Sequence, residues 1–272
     1  MATNRPIPFV LASTNHGTLI VNRNDYRMVG ENRGYGVGYQ ILNTSSFDQS
    51  EISFVLALLN LRFKYFGTGV VALDCGANIG VHTVEWAKLM HEWGSVIAFE
   101  AQEKVYYALA GNIAINNCLN ATAHLAAVGA ECGQIKIPVP NYLMPASFGS
   151  LELKQKQGNE FIGQEIDYSD AMMRTVNLMS IDSLKLPRVD LIKIDVEGME
   201  VDVLEGAKDT IQRCKPVMTI EIIKTDKSAV EQFLTANGYL SYPMGINILA
   251  VHSSDPVNAN LTVNNGSLNL NV

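Results

Sequence analysis

The sequence predicts an α/β fold, a mostly parallel sheet with helices on both faces. Three observations carry this expectation. From residue 70 onward, short apolar runs alternate with helix-length amphipathic segments. The runs are continuously apolar rather than alternating, the pattern of strands buried on both faces. The composition, 47% apolar and 17% charged in 272 residues, suits a globular chain and is too apolar for disorder.

Residues 1–49 read as a β-rich appendage. Residues 18–21 and 26–29 flank Asn22-Arg-Asn-Asp25 as a hairpin candidate. Residues 30–38 hold four glycines and read as a flexible loop. Residues 50–65 form an apolar helix, and the main domain runs from 50 to 252. Its strands are 70–73, 95–99, 122–128, 189–194, 217–222, 239–242 and 247–252. Its helices are 81–93, 103–117, 200–214 and 227–237, with Val203, Leu204, Ala207 and Ile211 at helical spacing in the third. Residues 133–184 are too long for a plain strand–helix connection and read as an insertion beside the active edge. In the tail, 253–272, Leu261, Val263, Leu268, Leu270 and Val272 alternate about Asn264-Asn-Gly266, a hairpin signal. So small a hairpin is marginal alone, so it should pack on the body or on a second copy of the chain.

The formal charge is −7 and the pI near 5.2, which argues against nucleic acid as the main partner. The apolar run 52–61 is too short for the roughly 20 residues of a membrane span. The start carries no secretory signal pattern. Cys75, Cys118, Cys132 and Cys214 are scattered, which suggests buried free thiols in a reducing, cytoplasmic setting.

The first strand ends in Asp74-Cys-Gly-Ala-Asn-Ile-Gly80, and a helix follows at once. Gly76 and Gly80 allow close backbone approach to a ligand, and the helix start offers free N–H groups. The next strand ends at Glu100, placed to accept both hydroxyls of a ribose. A dinucleotide turn wants a middle glycine for the pyrophosphate, but Asn78 stands there. Asp74 could face an amino group instead. Ribose at one end and an amino-acid zwitterion at the other describe S-adenosylmethionine.

These segments resemble the FkbM family of S-adenosylmethionine-dependent methyltransferases. The likeness rests on residues 70–87, VIAFEAQ (96–102), Asn112, AAVG (126–129), DLIKIDVEGMEVDVLEGA (190–207) and KPVMTIEI (215–222). It spans about 50–252 in order; Ala101-Gln102 departs from the proline common after the ribose acid. The resemblance implies a class I methyltransferase fold, Rossmann-like, with a seven-stranded mostly parallel sheet whose last strand is antiparallel. It also implies that Asp74, Gly76, Ala77, Asn78 and Gly80 surround the methionine half of the cofactor, with Thr83 at its carboxylate. Glu100 with Ala101 would hold the ribose, Ala127 and Val128 would flank the adenine, and Asn112 would support this region. Asp195 would close the site near the amino group. The acceptor implied is a hydroxyl of a sugar, glycan or other small molecule.

A second group surrounds Lys193. Strand alternation puts Lys193, Asp195 and Glu197 on one side, and Glu221 ends the neighbouring strand. A buried lysine needs a carboxylate partner. Lys193, Asp195, Glu197 and Glu221 are therefore the catalytic candidates, with Asp195, Glu197 or Lys193 as base. The same three acids also suit a divalent metal, which is not assigned; the plainer alternative is a salt-bridge network that only locks strand to helix, with Glu197-Gly198 as cap and turn. His82 follows the glycine turn. Residues 145–151 could line an acceptor pocket, and Tyr35, Tyr39 and Phe47 could cover the cofactor. Two other functions remain open: a nicotinamide-dependent dehydrogenase, and a catalytically silent cofactor-binding assembly module.

Overall fold

The structure, a computed structural model, describes residues 5–271 except 32 and 265. The chain opens with an antiparallel ribbon, β1 (Phe9–Thr14) and β2 (Gly17–Asn22). A second ribbon follows, β3 (Arg27–Gly30) and β4 (Arg33–Tyr35). The hairpin expected between 18–21 and 26–29 does not form. Gly17, at φ 108°, turns β2 back on β1 instead. The Asn22 side chain then accepts the Asn24 amide at 2.9 Å, an Asx turn that ends the strand. The expected loop at 30–38 contains β4 and the start of α1 (Val37–Thr44). Helix α2 (Gln49–Phe66) carries the chain to the sheet.

The sheet is built from β5 (Val70–Cys75), β6 (Gly94–Glu100), β7 (Ala121–Val128), β8 (Gly133–Pro138), β9 (Met173–Met179), β10 (Leu191–Ile194), β11 (Val217–Glu221), β12 (Tyr239–Met244) and β13 (Asn247–His252). Their order is β12-β13-β11-β10-β5-β6-β7-β9-β8. The seven strands from β12 to β7 are the expected class I methyltransferase arrangement, with β13 antiparallel to β11. The sheet has nine strands rather than seven because the insertion donates two. β9 joins β7 in parallel, and β8 pairs antiparallel with β9. Strand order reverses between β5 and β10, so the ends of these two strands flank the crevice where such sheets bind ligands.

Helices α3 (Val81–Leu89) and α4 (Glu103–Ile115) connect the first strands; α5 (Glu200–Glu205), α6 (Lys208–Cys214) and α7 (Lys227–Ala236) connect the later ones. One core packs Val55, Leu58 and Leu59 of α2 and Trp86 of α3 against Val70, Ala72 and Leu191. Another packs Val203, Ile211, Val230 and Leu234 against Leu73, Ile192, Ile194 and Ile220. Alternate residues of the central strands thus serve opposite cores, as their unbroken apolar runs require.

The single helix expected at 200–214 is broken between α5 and α6. A Cβ at Gly206 would lie 2.1 Å from the Gly129 carbonyl oxygen, so the backbones pass too closely for a side chain. The Asp182 carboxylate then accepts the Asp209 and Thr210 amides at 3.0 and 2.8 Å, starting α6 afresh. Helix α3 stops short of residue 93, and Glu92 adopts φ 68° in the turn beyond it.

The tail forms a ribbon, β14 (Leu261–Asn264) and β15 (Ser267–Leu270), with Leu268 and Leu270 against the α2–α3 core. Val272 lies outside the described residues. The four cysteines are free; Cys75 and Cys118 are buried, while Cys132 is exposed and Cys214 half-buried. Among the described residues no helix is long and apolar enough to cross a membrane.

Asn112 of α4 fastens the N-terminal ribbon to the body. Its Oδ1 accepts the Ile20 amide at 2.6 Å, and its Nδ2 donates to the Ile20 and Ile79 carbonyls. Asn112→Ala should cost about 2–4 kcal/mol, because these buried backbone groups lose their partner. Urea unfolding checks this; an unchanged midpoint would mean that the ribbon is held elsewhere.

Candidate active site

A cavity of about 640 Å³ opens at the C-terminal edge of the central strands. Its size is that of a small-molecule site. The wall takes in the bend after β5, the ends of β6 and β7, the turn after β10 and the end of β11. Helix α1, the start of α2 and the insertion cover it.

The bend after β5 is set by backbone conformation. Gly76, Asn78 and Gly80 have φ of 81°, 51° and 85°. The two glycines do more for the chain itself than the sequence suggests. A Cβ on Gly76 would lie 1.7 Å from the Asp195 carbonyl oxygen, and one on Gly80 would lie 2.4 Å from the Leu109 side chain. Gly76 therefore admits the turn after β10, which brings the two sequence motifs into contact. Ala77, Asn78 and Ile79 face the cavity.

Asp74 and Thr83 lie behind this wall, both fully buried. Thr83 Oγ1 donates to Asp74 Oδ2 at 2.6 Å, so the hydroxyl expected at a cofactor carboxylate is spent on Asp74. Asp74 Oδ1 is buried with no partner among the described residues. Burial raises the Asp74 carboxyl, and Lys193 and Thr83 pull it down.

Glu100 ends β6 beside the bend. Its two oxygens accept the Asn78 amide at 3.0 Å and the Gln102 amide at 2.7 Å. An ionised carboxylate has about four lone-pair sites, so each oxygen keeps a free one. Burial pushes this carboxyl up to about 7, against the pull of those amides. Ala101, Ala127 and Val128 continue the wall beside it. Gln102, where the FkbM pattern departs, has a clear task. Its Nε2 donates to the Phe148 carbonyl at 2.8 Å and its Oε1 accepts the Tyr142 hydroxyl at 3.1 Å, tying the insertion to the end of β6.

The acids and lysines gather across from Glu100. Lys193 Nζ donates to Asp195 Oδ2 at 2.7 Å. Burial works against its charge, but Asp195, Asp74 and Glu51 outweigh it and hold the ammonium well above the ordinary lysine range. Lys193 is thus held as a cation beside Asp195. Lys224 Nζ lies 2.6 Å from Glu197 Oε2 and 2.9 Å from Glu160 Oε2, and donates to the Ser150 carbonyl at 2.8 Å. Burial and then Asp195 raise the Glu197 carboxyl far above its usual value. The same causes push Glu221 up to about 8. Oxygens of Asp195, Glu197 and Glu221 all lie within 4.8 Å of one another. Ammonium groups already answer two of the three, and no metal is assigned.

The turn after β10 holds these groups. Glu197 and Gly198 have φ of 55° and 95°, and buried Glu200 accepts the Val196 and Gly198 amides at 3.2 and 3.0 Å. In this part of the motif Glu200 caps the turn.

The cover was the least visible part in the sequence. Tyr35, Tyr39 and Phe47 line the cavity, as do Ser147, Gly149, Ser150 and Leu151 of the insertion. His82 is in the wall rather than at the surface, and burial and Lys193 lower its pKa well below the usual value, leaving it neutral. Two acids without a sequence signal hold the cover. Asp25 accepts the Gly38 and Phe148 amides, each at 3.0 Å, joining α1 to the insertion. Glu160 accepts from Arg27 at 3.0 Å and from the Tyr35 hydroxyl at 2.5 Å, and pairs with Lys224.

A family model for the methyltransferase FkbM domain matches residues 74–241, from the start of the glycine bend to beyond Glu221. Methyltransferase 1 of Beauveria bassiana (strain ARSEF 2860) is 26% identical over 178 residues, 61% of this chain and 71% of that protein. Methyltransferase sdnD of Sordaria araneosa is 28% identical over 158 residues, 50% of this chain and 60% of that protein. The solved FkbM methyltransferase of Methylobacillus flagellatus KT aligns at 15% identity and TM-score 0.47, over 79% of this chain and 58% of its own. The chain thus spans less than two thirds of sdnD and of that solved chain.

The raised Glu100 carboxyl has a consequence for stability. Its contribution is fully present below the ordinary glutamate value of 4.5 and is lost as pH rises through about 7. Glu100→Gln should remove that part of the pH dependence, on the order of 3 kcal/mol between pH 4 and 8. Parallel melting curves across this range test it; identical slopes for both proteins would mean that Glu100 titrates alike in the folded and unfolded chain.

Proposed function

Because the chain belongs to the FkbM methyltransferase family, we propose that it moves a methyl group from S-adenosylmethionine to a hydroxyl oxygen of a sugar or other small molecule. One observation carries this reading: the Ala77–Ile79 bend, Glu100 and the Asp195–Glu197–Glu221 acids all face a single cavity. The residues present fit the cofactor. Glu100 keeps two free lone pairs for the ribose hydroxyls, and the small Ala101, Ala127 and Val128 leave room for a flat base. The bend and Asp195 take the methionine end.

The cofactor supplies a methyl group on a positively charged sulfur. The protein's part is to hold that group and an acceptor in line, which is worth several orders of magnitude in rate. A carboxylate of the acid group serves as the acceptor's base, which adds roughly 10²–10⁴-fold. Lys193, held as a cation, keeps Asp195 oriented across the bend. The insertion and α1 exclude water from above.

Two measurements test this reading. Calorimetry with S-adenosylhomocysteine should show binding, and Glu100→Ala should weaken it by about tenfold or more, since ribose hydroxyls lose their acceptor. Equal affinity in both proteins would contradict the ribose assignment. Radiolabelled methyl transfer to a glycoside panel should occur, and Asp195→Asn should reduce turnover by at least about tenfold, a larger effect than its loss of the Lys193 pairing has on stability. Full turnover in a destabilised Asp195→Asn would show that the acids only lock the strands.

A further inference from the structure

The three clustered acids are not equivalent. Asp195 is bonded to Lys193 and Glu197 is paired with Lys224. Neither lysine has charge to spare: Lys193 also answers Asp74 and Glu51, and Lys224 also answers Glu160. Glu221 ends β11 one strand beyond Asp195, faces the cavity, and has no ion pair or hydrogen bond to its side chain among the described residues. Its register partner Asn247 turns its amide to Glu51 instead, at 3.1 Å. Of the three clustered acids, Glu221 is thus the one with no ammonium paired to it; Lys193 and Lys224 act on it only from a distance.

A cation of the right position would come from the ligand. Glu100 ends β6, and β5 and β10 lie between β6 and β11. Three strand spacings are about 14 Å. An adenosyl group with its ribose on Glu100 places its sulfur end between the two acids. We propose that Glu221 is the counter-charge for the transferable methyl's sulfonium and makes the site distinguish the charged cofactor from its neutral thioether product. This inference rests on the methyltransferase reading and assigns within it a residue that sets ligand charge specificity. The attraction is present with the sulfonium and absent with the thioether, so the same side chain favours cofactor capture and product release. A unit charge pair in a partly buried site is worth enough to be read as a large affinity ratio.

Sinefungin tests this without an acceptor. It carries an ammonium where the cofactor carries its sulfonium methyl, whereas S-adenosylhomocysteine is neutral there. Calorimetry of the full chain at pH 8.5, with EDTA present, should show sinefungin binding at least about tenfold more tightly than S-adenosylhomocysteine. Glu221→Gln should bring the two within about twofold, chiefly by weakening sinefungin. Glu221→Asp should keep the preference. Glu221→Met gives the same neutralisation should the glutamine variant not fold. Absence of a preference in the unaltered chain, or its survival in the neutral variants, would overturn the proposal. Failure of both ligands to bind the unaltered chain would sink the methyltransferase reading itself, and the inference with it.

Discussion

One buried ammonium makes the active edge of this sheet possible. Lys193 stands on the central strand β10 with Asp195, Asp74 and Glu51 around it. Without that cation, three carboxylates would share a desolvated space at a cost of several kcal/mol each. With it, Asp195 is fixed across the glycine bend, and its carbonyl fills the space that Gly76 leaves open. The glycine bend and the acid motif are thus one packed unit, although Asp74 and Asp195 lie 121 positions apart.

The central strands were readable because their apolar runs are unbroken, and their methyltransferase arrangement was implied by the FkbM resemblance. The cofactor bend and Glu100 were readable because they are local: a strand end, a turn and the next strand end. What the sequence concealed is long-range. Asp25 read only as part of a turn and Glu160 lies in a stretch with no motif; their roles appear only when α1 and the insertion meet over the cavity. The break in the helix expected at 200–214 falls where Gly206 passes close to the Gly129 carbonyl, a contact between segments far apart in the chain. Lys193 looked like a candidate base because its charge depends on three carboxylates, two of them, Asp74 and Glu51, far away in the chain. Thr83 was placed at the ligand by its position in the helix start, but a buried carboxylate without a donor claims its hydroxyl.

The cover also divides the site into a shared and a particular part. The acids and the bend lie inside the segment that matches the FkbM domain, residues 74–241. Tyr35, Tyr39 and Phe47 lie outside it and enter the cavity from the N-terminal side. Their support is electrostatic: Glu160 links Arg27 and Tyr35 to Lys224, and Lys224 links on to Glu197. A chain of charged contacts thus runs from the N-terminal ribbon to the acid group, so the cover and the chemistry at its floor are mechanically joined.

The most direct test of the central claim is a crystal structure with S-adenosylhomocysteine bound. It should show both ribose hydroxyls within hydrogen-bonding distance of the Glu100 carboxylate and the sulfur on the side of the cavity bounded by Asp195 and Glu221. A ligand with its ribose away from Glu100, or its sulfur turned toward the ends of β7 and β9, would contradict it.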